Sequence, residues 1–203
     1  MDANTEILEK MLAGRHSHYA LAPEWVAPQS EVESFLAKVL HNVPSAFNSQ
    51  PVRMVLLQGE SHLRHWQMIE DALKGMMSEE AYNKSTRDKI QGAFRAGVAT
   101  ILFFDDTAIT QKLQEQFPLY APNFPKWAEQ TQGSHQFAVW LGLCGMGFGV
   151  SLQHYNGIID EDIKQELGLP ASWSLVGQMP FGKPLSQPGE KEKLPLDTTL
   201  LIK

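Results

Sequence analysis

The run from Val98 to Phe104, VATILFF, constrains the fold more than any other stretch. It is almost continuously β-branched and aromatic, without alternating polar positions. That is the pattern of a strand covered on both faces. Such a strand needs a sheet beside it and helices above and below. Helical spacing appears at Ile7, Leu8, Met11 and Leu12, with Gly14 as a stop. A second helix is predicted from Ser30, where Ser30 and Glu33 form a capping-box pattern. Phe35, Leu36, Val39 and Leu40 share its apolar face, and Val43-Pro44 closes it. Further helices are expected over 61–76, 79 to about 96, 107–117, 127 to about 143, and 161–167. Strands are expected over 53–58, 147–155 and 174–181. Helices and strands alternate without strict βαβ regularity. The expected class is therefore α+β, one domain over residues 1–203, with a central, mostly antiparallel sheet flanked by helices.

The helix from Trp127 is too apolar for a solvated face. It lies in the middle of the core or packs against a second subunit, and the shortness of the chain favours a dimer. A net charge of −6 argues against a nucleic-acid binder, which needs a basic face. The single cysteine, Cys144, excludes an internal disulfide and suits a reducing compartment. No apolar run reaches membrane-spanning length, and the N-terminus lacks the basic start and apolar centre of a secretory signal. A soluble cytoplasmic protein is expected, with no membrane partner.

Arg15 and Ser17 follow the first helix stop, and a guanidinium fork beside a hydroxyl suits phosphate oxygens. The stretch Pro44 to Gln58 places Ser45, Asn48, Ser49 and Gln50 on the lip of a strand, where packing alone does not require uncharged donors and acceptors. His154 ends a strand, a place that borders sites in α/β sheets. His62 and His65 read as surface and packing residues, and His135 as a hydrogen-bonded core histidine. No carboxylate or cysteine cluster accompanies His16 and His18 at ligand spacing, so no metal is expected. GLCGMGFG, residues 142–149, follows a helix and enters a strand, the reverse of a dinucleotide loop, and reads as close helix-to-strand packing. Cys144 reads as inert packing. Binding groups without a nucleophile or metal cage point to a borrowed cofactor. A flavin mononucleotide (FMN) fits, since its phosphate wants Arg and Lys and its ring edge both donates and accepts.

RHSHYAL, followed about thirty residues later by PSAFNSQPVR and then by GVSLQHYN near residue 150, resembles the nitroreductase family. The likeness is closest to the short branch related to the fatty-acid-repression-mutant proteins and covers essentially the whole chain. It implies an α+β sandwich forming an intertwined homodimer with FMN at the subunit interface. By that resemblance Arg15, His16 and Ser17 hold the phosphate or ribityl chain. Ser45, Asn48 and Gln50 meet the flavin from the partner subunit, and Gln153 and His154 lie near the ring. Lys191 and Lys193 fall where the family places basic phosphate ligands. Larger members carry a lysine where this chain has Tyr19, which leaves Arg53 or Arg87 as replacement cations. The implied activity is FMN-dependent NAD(P)H oxidation coupled to reduction of nitroaromatic or quinone acceptors. Both substrates would use one slot, with ping-pong kinetics and no catalytic side chain of the protein's own. Tyr120, Phe124 or Trp127 would roof that slot. A flavin-binding regulatory protein with little turnover is the alternative.

Overall fold

The computed structural model describes residues 2–203. The strand anticipated at Val98 is β3, Ala99–Asp106, and every residue from Ala99 to Phe104 is buried. It lies between β2, Val52–Gln58, and β5, Trp173–Pro184, antiparallel to both. Two short strands, β1 at Leu21–Ala22 and β4 at Gly149–Val150, pair antiparallel with β5. Leu102 and Phe104 point into one core with Trp66, Ile69, Ile90 and Phe94. Ile101 and Phe103 point into the other with Val32, Leu36, Val139 and Leu143. Strand residues alternate between faces, so two apolar faces demand the unbroken apolar run seen in the sequence.

The first core is covered by α3 (Gly59–Met76), α4 (Glu79–Ser85), a π-helix at Asp88–Phe94 and α7 (Asp160–Leu167). The second is covered by α2 (Gln29–Asn42) and α6 (Phe124–Gly145). The other α-helices among the described residues are α1 (Ala3–Gly14), α5 (Thr107–Gln116) and α8 (Leu196–Thr199), and short 3-10 turns lie at Ala46–Asn48 and Pro118–Asn123. Among the described residues no helix is long and apolar enough to cross a membrane. The α+β class with an antiparallel sheet is thus observed.

Several local expectations are corrected. The helix predicted from Ser30 begins at Gln29 after Pro28, whose carbonyl accepts from Glu31 and Val32. Ser30 is therefore inside the helix, and Glu33 accepts from Gln29 Nε2 at 2.7 Å instead of closing a capping box. The strand predicted over 147–155 is broken. It pairs at Gly149–Val150 and again only as a bridge between Gln153 and Gln178. Pro180 explains the gap: its carbonyl accepts from Ser151, but it has no N–H to return the bond. The helix over 79–96 is two pieces, the second of them the π-helix. His62 and His65 are not at the surface, with relative exposures of 2% and 0%. The apolar stripe of α1 stays outside, Ile7, Leu8 and Leu12 being 46–56% exposed. Conversely, α6 finds its burial inside one chain through Ala128, Thr131, Gln132, His135, Val139 and Leu143, so its apolar character alone demands no second subunit.

GLCGMGFG packs as expected. A Cβ on Gly142 would run into the Phe35 ring, and one on Gly149 would lie 2.7 Å from Leu21. The tightest backbone approach is at Gly182, where an ideal Cβ would lie 2.5 Å from the Ala22 carbonyl oxygen and 3.1 Å from Val98 N. Backbone cannot swing aside as a side chain can. Gly182→Ala is expected to destabilise the fold by about 1–3 kcal/mol, read as a lower urea midpoint at unchanged slope. An unchanged midpoint would show that β1 yields freely.

Candidate functional site

The end of α1 delivers Arg15 in an extended conformation (φ −77°, ψ 112°). Its guanidinium carbon lies 4.6 Å from the Trp140 ring centroid on α6, a cation–π contact that holds the fork in one orientation. Trp140 Nε1 donates to the His16 carbonyl at 3.3 Å, pinning the next residue as well. Ser17 then bridges Val150 in parallel, and the His18 amide donates to the Val150 carbonyl at 2.9 Å. The segment carrying Arg15, His16 and Ser17 is thereby laid along the segment that leads to Gln153 and His154. Burial holds the His18 imidazole below its ordinary pKa, so the ring is neutral near neutral pH. Burial likewise raises the Cys144 thiol, which leaves it a poor nucleophile beside Arg15.

Beyond Ser17 opens a groove of about 630 Å³. Tyr19, Phe94 and Tyr155 contribute aromatic surface to it, Gln153 a peptide edge, and Asp88 and Lys89 of the π-helix its charges. Gln153 is locked by reciprocal backbone bonds with Gln178 at 2.7 and 2.9 Å. His154 is exposed. The two arginines considered as replacement cations are engaged elsewhere. Arg53 pairs with Asp106 at 3.0 Å, and Arg87 Nε donates to Gln91 at 3.3 Å. Lys89 is the cation in the groove lining. Its sequence context, a charged stretch at helical spacing, carries no signal of that role. Trp140 was equally hidden, because an aromatic in an apolar helix reads as core.

Ser45, Asn48 and Gln50 form a separate group. Phe47, Asn48 and Gln50 all adopt left-handed φ, at 57°, 49° and 52°. Each such residue costs about 1 kcal/mol or more, and clusters of them mark functional loops. Ser45 Oγ accepts from the Gln50 amide at 2.9 Å, and Arg53 donates to the Gln50 carbonyl at 2.8 Å, so the turn is braced. The side chains of Asn48 and Gln50 are left exposed. Phe47 packs on Phe117, Tyr120, Phe124 and Trp127, lying nearly parallel to Trp127 with centroids 5.9 Å apart. This loop therefore sits at the N-terminal end of α6, by Trp127, whereas Arg15 sits on Trp140. Thirteen residues of helix separate those two tryptophans by about 20 Å. One chain does not bring the two groups together. Lys191 and Lys193 lie in the exposed, irregular stretch before α8, and among the described residues neither forms an ion pair.

A family model described as the nitroreductase family matches residues 12–183. The chain is 35% identical over 193 residues to HBN1 of Saccharomyces cerevisiae, a protein named as a nitroreductase, covering 94% of this chain and 95% of that one. The solved structure of nitroreductase CinD from Lactococcus lactis in complex with 4-nitrophenol superposes with a TM-score of 0.88. It is 37% identical, and the match covers 97% of this chain and 99% of that one. The FMN-dependent nitroreductase NfnB from Mycobacterium smegmatis, in complex with NADPH, shares the fold at a TM-score of 0.73 and 14% identity, with 98% and 99% coverage.

Proposed function

This chain belongs to the nitroreductase family and is an oxidoreductase, and from that premise we propose that it binds FMN and passes electrons from NAD(P)H to flat nitroaromatic or quinone acceptors. The observation that carries the reading is the split of the site along α6. Arg15, Ser17 and the Gln153 groove lie at one end, and the strained Ser45–Gln50 loop lies at the other. Two copies in antiparallel arrangement would set the loop of each against the groove of the other, which supports a homodimer with FMN between its chains.

The residues present fit that cofactor. Arg15 and Ser17 offer a charged fork and a hydroxyl to the phosphate, with His16 between them. Lys191 and Lys193, on an exposed arm, add charge there. Tyr19 and Tyr155 flank a slot suited to a flat ring, with Gln153 and His154 at its edge. Asn48 and Gln50, exposed and presented by a braced turn, supply donor and acceptor groups from the second copy. When bound, FMN supplies hydride acceptance and donation. The chain's own part is to orient the ring, exclude water and set the charge around it. The aromatic cluster of Phe47, Tyr120, Phe124 and Trp127 would then cover the slot as its roof. Such a roof suits planar acceptors, consistent with the 4-nitrophenol bound by the Lactococcus protein. The exposed apolar residues of α1 and of the C-terminal stretch, Leu194, Leu196, Leu200, Leu201 and Ile202 at 61–90% exposure, are the surface a second copy would cover.

The visible spectrum of the purified protein tests this reading. Yellow absorbance that bleaches on anaerobic NADH or NADPH and returns with 4-nitrophenol or a quinone is the expected result, with parallel double-reciprocal plots. Colourless protein that takes up no FMN overturns it. Bound FMN with negligible turnover would make the protein a flavin-binding regulator instead. Lys89→Gln is expected to lower the midpoint potential of bound FMN, because removing a nearby cation disfavours the more negative reduced state. Lys89→Arg should restore it. A potential unmoved by Lys89→Gln would remove Lys89 from the groove's electrostatics.

A further inference from the structure

Gly92 sits inside the π-helix, where glycine is a poorer choice than alanine because its backbone loses more freedom on folding. Neither usual reason for a glycine applies to it. Its φ lies outside the left-handed region, and an ideal Cβ on it would meet nothing within 4 Å. Gly142 and Gly182 differ, since a ring and a carbonyl fill the space that their Cβ would need. The fold by itself thus has room for a side chain at position 92, and a helix-propensity reason to carry one.

That room belongs to the groove. Asp88, Lys89 and Ala93 line it together with Gly92, so the helix surface on both sides of Gly92 faces the cavity. Ile90 and Phe94 fasten the same helix to the first core. The Arg95 amide reaches back five residues to the Ile90 carbonyl at 2.9 Å, the bonding of a π-helix, which is frequent at functional sites. The opposite wall is held in place. Gln153 is bonded both ways to Gln178, whose Oε1 also accepts from the Tyr155 amide at 2.9 Å. The Tyr155 ring stands edge-on to the buried Trp66, 6.0 Å between centroids, and packs on Phe94 at 6.1 Å. A side chain at 92 would therefore take width from the groove instead of pushing its walls apart.

We propose that Gly92 sets the width of this groove for a flat ring, whose edge seats against the bare backbone beside Lys89; the inference rests on the flavin reading above. A missing Cβ is what lets a ligand approach backbone closely. Arg15 and Ser17 address the phosphate, so they do not distinguish one ring system from another. Gly92 acts on the ring alone and makes the groove selective by ring width.

The test titrates the full-length chain, freed of flavin, with FMN, riboflavin and lumiflavin, which keeps only the ring, and follows flavin fluorescence. Gly92→Leu is expected to weaken all three by a similar factor of about 10- to 100-fold, the scale of overpacking a filled site. Gly92→Ala should weaken them less. Flavin-free Gly92→Ala should unfold at a urea midpoint no lower than the parent's, which separates a role toward the ring from a role in the fold. Affinities unchanged in both variants overturn the proposal. So does a loss confined to FMN, which would put Gly92 at the phosphate, and so does a lowered midpoint for Gly92→Ala, which would make the glycine a requirement of the fold. A parent that binds none of the three flavins overturns the flavin reading itself, whereas a parent that binds them as well as its variants do overturns only the role of Gly92.

Discussion

Arg15→Ala is expected to weaken FMN binding by about 10- to 100-fold, the loss of a charge-assisted phosphate contact, while leaving riboflavin binding nearly unchanged. Riboflavin lacks the phosphate, so the comparison isolates the contact proposed for Arg15. The structure explains why this arginine is available. It leaves α1 in an extended conformation, its fork is stacked on Trp140, and among the described residues no carboxylate pairs with it. Arg15→Lys should recover only part of the affinity, because an ammonium keeps the charge but loses the planar fork. Trp140→Leu should mimic a milder Arg15 defect, since it frees the fork without removing it. Equal losses for FMN and riboflavin in Arg15→Ala would mean that the residue supports the fold rather than the phosphate. Unchanged FMN retention would remove it from the site.

His65→Leu should raise stability by about 1–3 kcal/mol, the cost of two buried ring nitrogens without partners, and should blunt the protein's sensitivity to acid. His65 is 0% exposed, and neither ring nitrogen has a hydrogen bond. It rests edge-on against Trp66, with centroids 5.1 Å apart. Burial lowers its pKa from 6.5 to about 3, with nearby His62 adding. The unfolded chain therefore takes up a proton near pH 6.5, whereas the folded chain resists it until about pH 3. Stability is fully present above pH 6.5 and falls as pH drops through that window, by about 1.4 kcal/mol per pH unit for one such group. His62 and His135, also lowered by burial, act in the same direction. The raised carboxyls of Asp105 and Asp160 oppose them in acid. Comparing urea midpoints of parent and His65→Leu at pH 7 and pH 5 isolates the single group. The gap between the two proteins should widen on acidification, and a gap independent of pH would show that His65 takes up its proton in the fold as readily as in the unfolded chain.

The two predictions differ in how they could have been found. Arg15 and Ser17 could be picked out as candidates because their chemistry is local: a fork and a hydroxyl follow a helix stop. His65 reads in the sequence as a surface and packing residue, and only the packing part holds. Its partner environment is set by α3 folding onto β3, where His62 meets Thr100 at 2.8 Å and Trp66 donates to the same hydroxyl at 2.9 Å. A helix carrying His62, Arg64, His65 and Gln67 looks amphipathic from either side until the sheet chooses a face. The same limit hid Lys89 and Trp140, and it left open which residues of α6 the chain's own core would bury.

By itself the sequence determined the central strand, the α+β class, the glycine-tight helix-to-strand junction and the residue types that suit a phosphate and a flat polar ring. Those properties follow from spacing along the chain, where periodicity and side-chain chemistry act within a few residues. Only the tertiary structure decided which cation lines the groove, which of Asp105 and Asp106 takes the Arg53 ion pair, and that the two groups of candidate residues lie by opposite ends of α6. Those outcomes depend on which face of each element is buried and on distances between residues far apart in the chain, which a one-dimensional pattern does not encode.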